Sequence, residues 1–327
     1  DPLMASRLPS LDGLRFLAAV LVIVYHGGCV FPAPDGVTFF FVLSGFLFAV
    51  LLDREFGQTG TINLRNFYIR RAIRILPAFY AALVVTIVGK LLLGNPVDYG
   101  HAAAAGLFAG NYYNALSGHP PTGFAHYWSL AVEEQFYLLW PVTFLGLACV
   151  RRRVLMIFLA AAIVVVGAYR TGMLWYAGAS DAYAYNAFEC RFDSLATGCL
   201  TGLLIASAAF RGLVTRTCRT GLEPLLVIGL LVWSNAQPAL FHHGPGFTLD
   251  SLLMALLLLQ LVILGRHPAW CWLNWSPVRF LGTLSYSAYL LHAWGLAFAG
   301  KVPGAPLAAR IVIGIAVGVV RVVIDGM

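Results

Sequence analysis

Apolar residues fill ten long stretches of this chain, at about 14–31, 37–52, 72–93, 127–149, 154–175, 191–209, 221–237, 247–265, 280–299 and 304–324. Charged residues gather between the stretches. Each stretch approaches the roughly 20 residues that a helix needs to cross a hydrocarbon layer about 30 Å thick. The pattern predicts an all-α polytopic membrane protein of about ten transmembrane helices. A weaker stretch, 101–116, is rich in Ala and Gly and ends in NYYN; counted as a span, it makes eleven.

Loop charge arbitrates. With the N-terminus inside, Arg54, Arg65, Arg70 and Arg71 are inside too. If 101–116 does not span, Arg151–Arg153, then Arg211, Arg216 and Arg219, then Arg266 and finally Arg321 fall on the same side. The opposite loops hold Asp35, Asp98, Asp181 and the pair His242–His243. Cytoplasmic loops carry the excess of Lys and Arg, so ten spans with both termini cytoplasmic is the favoured topology. The segment 101–126 then reads as re-entrant or interfacial. If 101–116 spans, Arg151–Arg153 move outside. No repeat, low-complexity segment or long linker divides the chain, so residues 1–327 are expected to form a single domain.

Composition agrees. Of 327 residues, 60% are hydrophobic and 11% charged, against about 25% charged in soluble domains. The net charge of +7 is assigned to cytoplasmic loops in a plasma-membrane protein, and no aromatic-interleaved basic groove suggests nucleic acid. The six cysteines form no CxxC pair, so neither a disulfide framework nor a metal site is indicated. The first apolar run lacks a small-residue cleavage site and is followed by further spans, which argues against a signal peptide.

Against this apolar background a few polar residues stand out. Arg15 and His26 interrupt SLDGLRFLAAVLVIVYH eleven positions apart, about 16 Å along a helix rising about 1.5 Å per residue. With Arg15 at one membrane face, His26 lies near the midplane, where an ionisable group is by default a functional candidate. The plainer reading is a neutral imidazole bonded to a neighbouring helix. The basic stretch 53–71 runs into FYIRRAIRILPAFY, in which Arg71 and Arg74 share a helix face. Arg70, Arg71 and Arg74 suit either a topology anchor or bidentate contact with phosphate. Glu133 and Glu134 enter the apolar helix of HYWSLAVEEQFYLLWP about two turns after its start. A buried carboxylate there could orient a histidine and stabilise its imidazolium, or form a structural ion pair with an Arg such as Arg191. Arg191 and Asp193 read as an interfacial pair. His292, at the end of SYSAYLLH, is either a second site residue or a satisfied core histidine. Gly45 and the small residues of GCLTG read as helix-packing positions.

In order and spacing, SLDGLRFLAAVLVIVYH, FFFVLSGFL, FYIRRAIRILPAFY, HYWSLAVEEQFYLLWP, RFDSLATG and LSYSAYLLH resemble the membrane-bound acyltransferase 3 family over nearly the whole chain. Arg15-x10-His26 is similar to the family's Arg/Lys-x10-His signature, Arg71-x-x-Arg74 to its RxxR motif, and Glu133 to its acidic position. Asp325-Gly-Met stands where many members have Glu-x-Pro. The resemblance implies O-acylation, with an acyl-CoA such as acetyl-CoA as donor. It implies as acceptor a hydroxyl of a carbohydrate, or of a glycosylated natural product such as a macrolide sugar. No soluble esterase-like domain follows Met327, which weakens the expectation of an envelope glycan without removing it. On this reading His26 is the general base and Glu133 its orienter. Arg70, Arg71 and Arg74, with Arg15, hold the phosphates of coenzyme A. An acyl-histidine intermediate is the alternative chemistry. The competing function is a proton-coupled transporter using His26 and Glu133, against which stands the lack of an internal repeat.

Overall fold

The computed structural model describes residues 9–28 and 36–300, and among these residues the regular structure is entirely helical. The last apolar stretch, 304–324, lies outside the described residues, as do Asp35, Arg321 and Asp325. The other nine stretches all fall on helices, with 191–209 broken after Leu204 and 280–299 broken at Leu284. Four helices, Gly36–Thr59, Leu64–Leu92, Arg152–Trp175 and Ala239–Arg266, are each long and apolar enough to cross a membrane.

The boundaries carry two corrections, and the weak segment keeps its non-spanning length. The first helix, Pro9–His26, stops well before residue 31. It ends at Gly27–Gly28, where Gly28 has φ +92°, a conformation that glycine adopts without a Cβ penalty. The basic stretch 53–71 is not a loop. Helix Gly36–Thr59 runs through its first part, and Leu64–Leu92 begins again after Asn63, whose side chain accepts the Asn66 N–H at 2.9 Å. Charged side chains at a membrane face do not oblige a helix to end there, because its backbone stays hydrogen-bonded. The weak segment 101–116 folds as two helices of eight residues, Tyr99–Gly106 and Gly110–Ser117. They are separated at Phe108, which has φ +52°. Each is about 12 Å long at about 1.5 Å per residue, too short to cross alone.

The chain divides into two compact units. The first contains the described parts of Asp1–Leu43, Leu204–Gln237 and Asp250–Met327. At its centre, Pro9–His26 buries Leu11, Leu14, Ala18 and Val22, positions that fall on one helical stripe. That helix packs on Ser276–Thr283 and Ser285–Gly300. The approach is close enough that a Cβ on Gly13 would fall on the Leu273 carbonyl oxygen, and one on Gly282 on the Asp12 carbonyl oxygen. Glycine is therefore required at both crossings.

The second unit contains Ser44–Leu203 and Pro238–Leu249. Here a Cβ on Gly45 would fall on the Leu195 carbonyl oxygen, and one on Gly202 would lie 2.7 Å from the Phe46 carbonyl oxygen. Small residues thus let Gly36–Thr59 and Phe188–Leu204 meet backbone to backbone, the packing role read for Gly45 and GCLTG. Arg152, at the start of Arg152–Trp175, bonds Asp53 at 3.0 Å and the Leu203 carbonyl at 2.9 Å. The Arg151–Arg153 turn and the end of helix Gly36–Thr59 therefore share one end of this unit. Past the far end of the 24-residue helix Arg152–Trp175, Asp181 pairs with His243 at 3.0 Å.

Candidate functional site

His26 is the last residue of the first helix and its ring is exposed. Its Nδ1 lies 2.9 Å from the Val22 carbonyl oxygen. A carbonyl only accepts, so Nδ1 carries the proton in the neutral ring and Nε2 carries the basic lone pair. The ring of His292, on Ser285–Gly300, has its centroid 4.8 Å away at 46°. His292 is buried, and its Nδ1 in turn meets the Tyr289 carbonyl at 2.5 Å. The sequence left His292 open between site residue and core residue; the structure sets it beside His26 in the first unit. Arg15 lies on the same helix and pairs with Asp12 one turn earlier at 3.1 Å.

Glu133, Arg70, Arg71 and Arg74 belong to the second unit. The three arginines separate by environment. Arg70 and Arg74 are exposed, with Arg70 3.8 Å from Glu55. Arg71 turns inward, with its guanidinium 3.9 Å from the centroid of the Phe48 ring and 5.5 Å from that of Tyr137. Phe48 and Tyr137 stack at 4.3 Å. Such cation–ring contacts contribute about 0.5–2 kcal/mol depending on desolvation, and here they fix the direction of the Arg71 fork. Glu133 and Glu134 lie within electrostatic reach of Arg71. Glu133 Oε1 accepts the Ser44 hydroxyl at 2.9 Å, and Ser44 Oγ accepts the Tyr137 hydroxyl at 3.2 Å. Arg71, Phe48, Tyr137, Ser44 and Glu133 therefore form one continuous cluster. Sequence reasoning found its charges but not Ser44, Phe48 or Tyr137, whose apolar or small character carried no signal.

A second polar cluster in this unit was read only in part, since the sequence paired Asp193 with Arg191 and passed over Arg170 and Thr248. Arg170 and Asp193 are fully buried and paired at 2.9 Å. Thr248 accepts from Arg170 Nη2 at 2.7 Å and donates to Asp193 at 2.6 Å. Arg170 also donates to the Gly244 carbonyl at 2.9 Å and to the Cys190 carbonyl at 2.5 Å. The partner of Asp193 is thus Arg170. Asp193 and Arg191 are both fully buried. Arg191 lies 4.0 Å from the Phe247 ring and 5.4 Å from Tyr185.

The sequence profile of the acyltransferase 3 family, described as an acyltransferase domain, matches residues 8–324. This chain belongs to that family. It is 29% identical over 316 residues to the peptidoglycan O-acetyltransferase OatA of Listeria monocytogenes, covering 87% of this chain and 49% of the relative. It is 28% identical over 314 residues to the putative peptidoglycan O-acetyltransferase YrhL of Bacillus subtilis, covering 87% and 48%. A putative O-acetyltransferase of Staphylococcus aureus is 30% identical over 315 residues, with 87% and 50% covered. The chain therefore spans about half the length of the curated relatives it matches. No solved structure matches it. Membership in an acyltransferase family moves the weight away from a transporter, whose support was the presence of ionisable residues alone.

Proposed function

We propose that this chain is an integral-membrane O-acyltransferase that moves an acyl group from acyl-CoA to a carbohydrate hydroxyl, with His26 as general base. The observation that carries the proposal is the His26–Val22 bond, which occupies Nδ1 and leaves Nε2 as the basic nitrogen. In the reaction, Nε2 takes the proton of the acceptor hydroxyl as its oxygen attacks the thioester carbonyl. The new C–O bond forms, the C–S bond breaks, and the proton passes to the departing thiolate. Histidine suits this role because its pKa lies near working pH.

The donor's phosphates fall to Arg70 and Arg74, exposed on the helix Leu64–Leu92, and to Arg71, whose fork the Phe48 and Tyr137 rings aim. Arg15 is a further proposed contact at the membrane face. Glu133 is the proposed catalytic carboxylate, held by Ser44. The family's relatives are named for acetyl transfer, which supports acetyl as the acyl group. Two of those relatives are named for peptidoglycan, which supports an envelope glycan as acceptor; a macrolide sugar presents the same hydroxyl chemistry. The proposed setting is the plasma membrane, with about ten spans, both termini cytoplasmic and a single functional domain over 1–327. The Asp53–Arg152 contact supports it by bringing two of the Arg-bearing segments to one end of their unit.

The test is turnover of labelled acetyl-CoA by purified protein, with glycan and macrolide acceptors supplied in parallel. His26→Ala is expected to lower turnover by about 10²–10⁴-fold, the range of general acid–base catalysis, while donor affinity and melting temperature hold. Near-normal turnover in folded His26→Ala protein removes the assignment.

A further inference from the structure

The segments that carry Asp181 and His243 have no part in the chemistry above, yet they are built on costly foundations. Two arginines and an aspartate are fully buried beneath them. A buried ion pair contributes little net stability after desolvation, so what it fixes in place matters more than its energy. Arg170 fastens three separate segments: its own helix, the helix Phe188–Leu204 through Cys190 and Asp193, and the break at Gly244 through Gly244 and Thr248. That break is real, for Gly244 has ψ −108° between helical neighbours.

Beside this frame lies the half-buried ring of Tyr185, with the Arg191 guanidinium 5.4 Å from its centroid. It sits 4.7 Å from Trp128, 5.8 Å from Phe247, 6.0 Å from His119 and 6.4 Å from His243, measured between ring centroids. The neighbouring polar groups are held as firmly. His119 Nδ1 is 3.0 Å from Asn186 Oδ1, and Asn114 Nδ2 donates to the same oxygen at 3.2 Å. His243 is paired with the exposed Asp181. A rigid aromatic face rimmed by a few fixed, planar polar groups is the composition of a small-ligand site. It suits a pyranose ring, whose C–H face lies on an aromatic ring while its hydroxyls bond the rim.

We propose that Tyr185, His119, His243 and Asp181 form a binding platform for the sugar ring of the acceptor, preorganised by the Arg170–Asp193–Thr248 frame. The proposal rests on the carbohydrate-acyltransferase reading and names where its acceptor docks. In the proposed orientation this platform lies at the end of the second unit opposite the Asp53–Arg152 contact, so it belongs to the acceptor and not to coenzyme A. Preorganisation matters here because ordering costs are otherwise charged against affinity.

The probes are the N-acetylglucosamine–N-acetylmuramic acid disaccharide and a macrolide glycoside, each titrated into the full chain in detergent, first without any donor. Tyr185→Leu keeps apolar volume but loses the flat face; Tyr185→Phe keeps the face. Tyr185→Leu is expected to weaken binding of one probe at least tenfold, and Tyr185→Phe by less than threefold. In acetyl transfer, Tyr185→Leu is expected to raise the acceptor KM at least tenfold more than the donor KM. Equal affinity of wild type and Tyr185→Leu for every probe overturns the platform, as does a parallel rise of both KM values. Binding that depends on Tyr185 in a protein that transfers no acetyl group overturns the acyltransferase reading and leaves the platform standing.

Discussion

Removing the charge of Asp193 tests the buried frame most directly. Asp193→Asn preserves shape, so it leaves no cavity, but it strands the Arg170 guanidinium at 0% exposure without a counter-charge. Breaking a buried ion pair from one side costs about 3–5 kcal/mol. Arg170 keeps its bonds to the Gly244 and Cys190 carbonyls, which places the expected loss near the lower end, about 3 kcal/mol. For chains of a few hundred residues each kcal/mol moves the melting temperature by roughly 2–4 °C, so a fall of about 6 °C or more is expected. The assay is thermal unfolding followed by tryptophan fluorescence, with all variants in the same detergent. Arg170→Met supplies the second arm and Arg170→Met/Asp193→Asn the double variant. The double variant has no buried charge left unmatched, so it must be destabilised by less than the sum of the single variants. A coupling of about 0.5–3 kcal/mol is typical of contacting groups. An Asp193→Asn protein that melts within about 2 °C of wild type, or an additive cycle, refutes the argument that this pair fastens the three segments.

Two further predictions follow from the same reasoning. Arg71→Ala should weaken acetyl-CoA binding by about 1.5–3 kcal/mol, the value of a hydrogen bond to a charged group, and Arg71→Lys should recover only part of it because Lys lacks the planar fork; unchanged affinity in equilibrium titration returns Arg71 to a topology anchor. His101, in the short helix Tyr99–Gly106, is pushed from 6.5 down to about 4, chiefly by burial, with Asp98 opposing. Between those values the unfolded chain binds the proton that the folded chain refuses, so this group's stability is complete above about pH 6.5 and is lost as pH falls toward 4. The melting temperature of wild type should therefore fall more steeply than that of His101→Gln across that window, and equal slopes would show that His101 is not held neutral.

What could be read from the sequence, and what could not, divides along a physical line. Apolar runs report helices because burial in hydrocarbon acts on every residue of the run, and nine of them coincide with helices here. Gly45 was legible because small residues at regular helical contacts have few other uses. Arg15, His26, Arg71 and Glu133 stood out because each interrupts an apolar run, where an ionisable group is costly. Arg170 is equally expensive, in the middle of AYRTGMLW, and was overlooked because its partners are 23 and 78 positions away, at Asp193 and Thr248. No local period connects them; tertiary packing alone does. A cost argument would still have questioned the reading of Asp193 with Arg191, since a buried arginine at position 170 must have a partner and Asp193 is an acid in an apolar helix. Tyr185 is harder, because a tyrosine at a helix end reads as a membrane-interface anchor. Only the placement of His119, His243 and Asn186 near it tells the two readings apart, and of these His243 adjoins the break at Gly244, whose carbonyl Arg170 bonds.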